Sequence, residues 1–154
     1  MSNKSLHPLA GQKARPEDLF SKEQIAEWYY SPQGELEPVK NGTSGHRGHT
    51  GRGFSVLHVA AMSQALIDLR KEKGTFGPHL PENLKEKPLG PVIMGKDVRY
   101  ASDLAQETAA EVFAGNGMKV LIHKGNRSTP TPVVSHTILN RVMQGEKVEG
   151  VIIT

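Results

Sequence analysis

Residues 40–48 bring together three glycines (Gly42, Gly45, Gly48), two hydroxyls (Thr43, Ser44), an imidazole (His46) and a guanidinium (Arg47). Glycine at that density costs stability inside a helix or strand, so the segment reads as a loop. It lets the backbone take positive φ and brings N–H groups close to a ligand. Thr43 and Ser44 add hydroxyl donors, and Arg47 adds a planar fork of donors matched to an oxyanion. Amides, hydroxyls and a guanidinium on one loop are the parts of a phosphate cradle. The plainer alternative is a solvated surface turn that happens to be glycine-rich.

Two further segments bear on that choice. Gly95-Lys96-Asp97-Val98-Arg99 sets two cations beside a carboxylate, ahead of a predicted helix whose N-terminus itself favours anions. Lys96 and Arg99 are therefore candidate phosphate contacts, and Asp97 is expected to pair with Arg99 and hold the turn. In Thr129-Pro130-Thr131-Pro132 the prolines fix two φ angles, and Thr129 and Thr131 read as helix caps rather than ligand contacts. Imidazole is a common metal ligand, but His46, His49 and His58 fall on or after the glycine-rich loop with no carboxylate nearby. No metal site is expected within this chain, and His46 reads as a polar donor of the loop.

The elements that must position these residues follow from pattern. Residues 1–15 are a polar tail, and Ser21 with Gln24 forms a capping box ahead of Ile25, Trp28 and Tyr29. Ser55 predicts the start of a helix to about Lys73, with Val59, Met62, Leu66 and Leu69 facing inward and Gly74 as its stop. Residues 91–95 form an apolar strand. Ser102 is expected to cap a helix through Ala114, with Leu104, Thr108 and Val112 inward and Gly117 ending it. A second strand is predicted over 119–123, a helix over 133–142 and a third strand over 148–154. Strands with continuous apolar runs, alternating with helices, predict an α/β fold. The expected architecture is a mixed, mostly parallel sheet with helices on both faces, preceded by an N-terminal helical arm. The arm takes residues 1–37 and the α/β domain 38–154. In such sheets ligands bind beyond the carboxyl ends of the strands, where the Lys96–Arg99 and Thr129 segments fall.

Composition narrows the function classes. The 19 Lys and Arg against 16 Asp and Glu give a net charge of +3 without a polybasic run, which suits a small anionic ligand. A nucleic-acid module remains as an alternative, because Gly45-His46-Arg47-Gly48 fits a Gly-x-x-Gly backbone clamp of the KH type. That clamp needs a helix entering it, whereas Pro38 and Val39 read as extended chain. The absence of cysteine excludes disulfides and thiolate chemistry. Residues 1–7 lack the apolar core of a signal peptide and no apolar run reaches membrane-spanning length, so a cytoplasmic protein is expected.

Gly42-Thr43-Ser44-Gly45-His46-Arg47-Gly48, a long helix, Gly95-Lys96-Asp97-Val98-Arg99, Thr129-Pro130-Thr131-Pro132 and Gly150-Val151-Ile152-Ile153-Thr154 together resemble the first domain of the α-D-phosphohexomutases. The His46 form of the loop and the long N-terminal arm resemble the bacterial phosphoglucomutase branch most. The resemblance runs from about Trp28 to the end, with four motifs in the family's order and spacing. It implies an enzyme whose phosphoserine donates its phosphoryl group to glucose 1-phosphate or glucose 6-phosphate. Turnover then passes through glucose 1,6-bisphosphate, assisted by Mg2+ on an Asp-rich loop of a second domain. The resemblance gives Arg47 an electrostatic role, has Thr43, Ser44 and His46 position the loop or donate to oxygens, and places Lys96 and Arg99 second. Thr154 matches the threonine opening the family's Thr-Ala-Ser-His-Asn-Pro-like segment, so the nucleophilic serine is expected just beyond this sequence. The implied partners are a phosphosugar and the remaining domains of the parent protein, with no nucleic acid and no membrane. The 154-residue chain alone is expected to be inactive.

Overall fold

A computed structural model describes residues 8–43, 45–73 and 82–153. Ser44, Gly74 and Thr154, to which the sequence assigns roles, lie outside the described residues. After a short 3₁₀ turn at Pro16–Asp18 comes α1, Lys22–Tyr30. Its capping box forms as predicted, with the Ser21 hydroxyl accepting from the Gln24 amide at 3.1 Å and the Gln24 side chain from the Ser21 amide at 2.8 Å. Two short strands, β1 (Asn41–Gly42) and β2 (Gly45–His46), pair antiparallel as a separate hairpin.

The α/β layers follow: α2 (Val56–Lys73), β3 (Val92–Lys96), α3 (Tyr100–Gly115), β4 (Val120–Leu121), α4 (Thr131–Met143) and β5 (Glu149–Ile153). The sheet runs β4-β3-β5 and both pairings are parallel. Every residue of β3 is buried, as a central parallel strand covered on both faces requires. Its side chains alternate accordingly. Val92 and Met94 join a cluster with Tyr29, Val59, Ile67, Ala105, Ala109 and Phe113, while Ile93 packs with Val134 and Val148 under α4. Each such apolar side chain removed from water contributes about 1.5–3 kcal/mol.

Several boundaries differ from the sequence expectation for identifiable reasons. The edge strand β4 is short, Val120–Leu121 against a predicted 119–123, and Ile122 is half exposed where a central strand would bury it. The buried stripe of α2 is His58, Val59, Ser63, Ile67 and Arg70, which keeps the predicted Val59 but lies one position on from the predicted Met62, Leu66 and Leu69. Polar residues occupy the inner face of α2 because partners await them. Arg70, 1% exposed, reaches Glu149 at 2.6 Å and the Gly90 carbonyl at 2.7 Å, tying α2 to the start of β5. α3 begins at Tyr100 rather than after Ser102, and Thr129 and Thr131 do not cap α4, whose N-cap is Pro130 without a side-chain bond. The Thr129 hydroxyl instead donates to the Arg127 carbonyl. Gly117 does end α3 in the left-handed region, with φ 76°.

α1 is bound into this core rather than held apart. Tyr29 is fully buried and donates to the Thr108 hydroxyl of α3 at 2.9 Å.

Candidate functional site

The glycine-rich segment folds as a hairpin followed by a tight turn. Gly45 takes φ 98°, which an L side chain rarely adopts. Beyond Arg47, the amides of Arg52, Gly53 and Phe54 all donate to the His49 carbonyl at 2.9–3.1 Å, so the chain folds back on itself. That return brings Gly53 against Gly48, where a Cβ would fall 2.3 Å from the Gly53 backbone. Only glycine fits at 48, and the closeness fixes the path on either side of Arg47. His46 ties the two limbs, donating from Nε2 to the Gly53 carbonyl at 2.5 Å and accepting the Lys40 amide on Nδ1 at 3.2 Å. Arg47 itself is exposed and makes no hydrogen bond or ion pair among the described residues.

The loop after β3 is built around Asp97. Its Oδ1 accepts the Arg99 amide at 2.9 Å and the Ser102 hydroxyl at 2.6 Å, and its Oδ2 pairs with the Arg99 guanidinium. Partial burial works against the charge, but the Ser102 hydroxyl and the Arg99 amide and guanidinium outweigh it. Together they hold the Asp97 carboxyl below the usual carboxylate range. Asp97 therefore holds the turn, as the sequence predicts, and presents Arg99 at the start of α3.

These two constructions meet. A cavity of about 360 Å³ is lined by Arg47, Gly48, Thr50 and Phe54 from one side and by Arg99, Ala101 and Ser102 from the other. Arg47, Arg99 (paired with Asp97) and the N-terminal turn of a 16-residue helix share its walls, an arrangement that attracts an anion by charge and by backbone dipole. A neighbouring cavity of about 230 Å³ shares His46 and Phe54 and reaches Val151, Ile152 and Ile153 of β5. The Asp97 amide donates to the Ile153 carbonyl at 3.0 Å, placing the carboxyl end of β5 beside the Asp97 turn.

Lys96 is placed differently from its sequence reading as a phosphate contact. It is 3% exposed, its ammonium is paired with Asp103 of α3, and it does not line the Arg47–Arg99 cavity. As the last residue of a fully covered strand it is buried, while its counter-ion Asp103 is exposed on α3. Thr43 is exposed on the hairpin tip and is absent from that cavity's wall. The cavity residues the sequence did not mark are Thr50 and Phe54, placed by the return turn, while Ser102, read there as a helix cap, donates to Asp97 instead. A second glycine pair, Gly51 and Gly53, was the signal for the turn. Gly45 and His46 themselves form strand β2, paired with β1, so the helix-entered backbone geometry of a Gly-x-x-Gly nucleic-acid clamp is not formed. Among the described residues no group of three or more His, Asp or Glu side chains is placed to hold a metal ion.

Comparison with known proteins agrees with this geometry. Residues 38–154 match the family model described as phosphoglucomutase/phosphomannomutase, alpha/beta/alpha domain I. A phosphoglucomutase of Komagataeibacter xylinus is 36% identical over 157 residues, an alignment spanning 97% of this chain and 26% of that protein. The chain thus covers about a quarter of the length of the relative it matches. By the family model and by this relative, the chain belongs to the phosphoglucomutase/phosphomannomutase family, in its α/β/α domain I.

Proposed function

We propose that the chain is the N-terminal part of a hexose-phosphate mutase that interconverts glucose 1-phosphate and glucose 6-phosphate. In this reading a phosphoserine beyond Thr154 gives its phosphoryl group to the sugar phosphate, and glucose 1,6-bisphosphate returns one. The observation that carries it is the meeting of Arg47, unpaired among the described residues, with Arg99 and the first turn of α3 around one cavity, beside the carboxyl end of β5. Groups that hold negative charge while a phosphoryl group moves supply much of the catalysis of such transfers. Arg47 is the electrostatic residue of the proposal and Arg99 its second. His46 positions the loop, and the Thr43 and Ser44 hydroxyls are donors to phosphate oxygens. Lys96, held by Asp103, supports the strand end. Mg2+ is assigned to other parts of the whole protein, and no step on this chain runs through it. The proposed compartment is the cytoplasm; among the described residues no helix is long and apolar enough to cross a membrane.

The test is turnover by the full native polypeptide. Glucose 1-phosphate is expected to convert to glucose 6-phosphate, with glucose 1,6-bisphosphate as activator, while the 154-residue chain alone converts nothing. Turnover by the 154-residue chain would overturn the assignment of the nucleophile, and a folded full polypeptide without turnover would overturn the glucose reaction.

A further inference from the structure

We infer that His58 is a positioning residue for the Arg47 loop, acting through His46. The inference rests on the mutase reading only for what the loop does to a substrate. His58 sits in the first turn of α2, is 5% exposed, and has both ring nitrogens engaged. Its Nε2 lies 2.7 Å from the Glu37 carbonyl and its Nδ1 2.8 Å from the Ser55 hydroxyl. A carbonyl only accepts, so Glu37 assigns a proton to Nε2, and Nδ1 is hydrogen-bonded to the Ser55 hydroxyl. The Gly53 carbonyl likewise assigns a proton to Nε2 of His46, whose Nδ1 lies 3.2 Å from both the amide and the carbonyl of Lys40. The two rings lie nearly parallel, 14° apart in plane with centroids 5.6 Å apart.

The pair therefore forms a bracket. His58 fixes the chain entering the hairpin at Glu37, and His46 fixes the chain leaving it at Gly53. The Glu37 amide in turn donates to the Arg52 carbonyl at 3.0 Å, closing the bracket around Arg47. The turn holding Arg47 is thereby referenced to α2, a helix packed into the core. A buried apolar residue at 58 would fill the space without fixing the loop.

Three variants of the full native polypeptide separate positioning from mere core filling. His58→Phe keeps ring area and loses both hydrogen bonds. His58→Gln restores an amide donor toward Glu37, and Ser55→Ala removes only the partner of Nδ1. The readouts are hydrogen exchange of residues 40–54 by mass spectrometry, and kcat and KM for glucose 1-phosphate. His58→Phe is expected to speed exchange in 40–54 but not in α3. It should also lower kcat by about 10²-fold, the size of effect an ångström of misplacement produces, with KM changed far less. His58→Gln should recover most of both effects, and Ser55→Ala should move both in the same direction by less. A folded His58→Phe protein with unchanged exchange in 40–54, or with altered exchange and wild-type kcat, overturns the inference. If His58→Phe does not fold, Ser55→Ala decides on the same two readouts. If the wild-type protein turns over no glucose 1-phosphate, the mutase reading fails, while the exchange data still decide whether His58 holds the loop.

Discussion

Arg47 is held by its neighbours and holds none of them in return. Its backbone is fixed by the Gly48–Gly53 contact and the His46 bonds, while its guanidinium is exposed and unpaired among the described residues. Arg47→Ala should accordingly leave the melting temperature near wild type, since surface substitutions away from such features move stability little. In the full polypeptide it should lower kcat/KM by about 10²–10³-fold, the loss that follows removal of one preorganised donor to a transition-state oxyanion. Arg47→Lys should recover part of this, because a point charge cannot give the bidentate geometry. Wild-type kinetics in Arg47→Ala would return the loop to the class of surface turns. Asp97 presents the opposite balance, because its charge is spent on structure. A carboxyl with a depressed folded pKa stabilises the fold above its unfolded pKa, and that contribution is lost as pH falls through the folded value. Asp97→Asn should therefore unfold more readily than wild type at neutral pH, and the two should converge in acid. A gap that persists at the lowest pH would show that Asp97 acts by shape rather than charge. Asp97 was legible in the sequence because an Asx turn is local, needing only Arg99 two residues on. Lys96 was not, because Asp103 becomes its partner only once the first turn of α3 is wound over the end of β3.

At the scale of elements, Tyr29 decides whether α1 belongs to the domain. Burial raises its phenol to about 12 despite the hydrogen bond to Thr108, so the neutral form is the one the fold accommodates. Its folding contribution is intact below the ordinary phenol value of 10.0 and falls away as pH rises toward about 12, because the unfolded chain ionises first. Ultraviolet titration should find one tyrosine that does not ionise until the protein unfolds. Tyr29→Phe should remove that late-ionising phenol, make stability depend less on pH above 10.0, and cost about 1 kcal/mol at neutral pH for the lost hydrogen bond. Normal titration of all three tyrosines in folded protein would detach α1 from the core. The capping box at Ser21 announced this helix, but nothing local announced its docking onto α3. The strands and helices of the α/β layers were legible for a related reason, since apolar runs and glycine stops are local signals. The face of α2 was not, because Arg70 and His58 turn inward only where Glu149, Gly90, Glu37 and Ser55 already wait.

Among the described residues part of the positive charge is held in ion pairs. Arg15 faces Glu17 and Asp18, Arg52 faces Glu37, Lys85 faces Glu82 and Arg141 faces Glu146. Exposed pairs of this kind add only about 0–1 kcal/mol each to stability, but they break up any continuous basic face. At the cavity the local field comes from Arg47, from Arg99 in its pair with Asp97 and from the first turn of α3, matched to one or two phosphates rather than to a polyanion. Ionic strength separates the two cases. A protein neutralising 6–10 phosphates of a nucleic acid loses about 10³–10⁵-fold in affinity between 50 and 200 mM salt. A sugar phosphate held within a few ångströms of two guanidinium groups lies well inside the roughly 10 Å screening length at 0.1 M, so its affinity should fall by less than about tenfold over that range. Inorganic phosphate should compete with glucose 1-phosphate for the site, and Arg47→Ala should weaken both. A single-stranded oligonucleotide that binds with a steep salt dependence and loses affinity in Arg47→Ala would move the cavity from sugar-phosphate to nucleic-acid recognition.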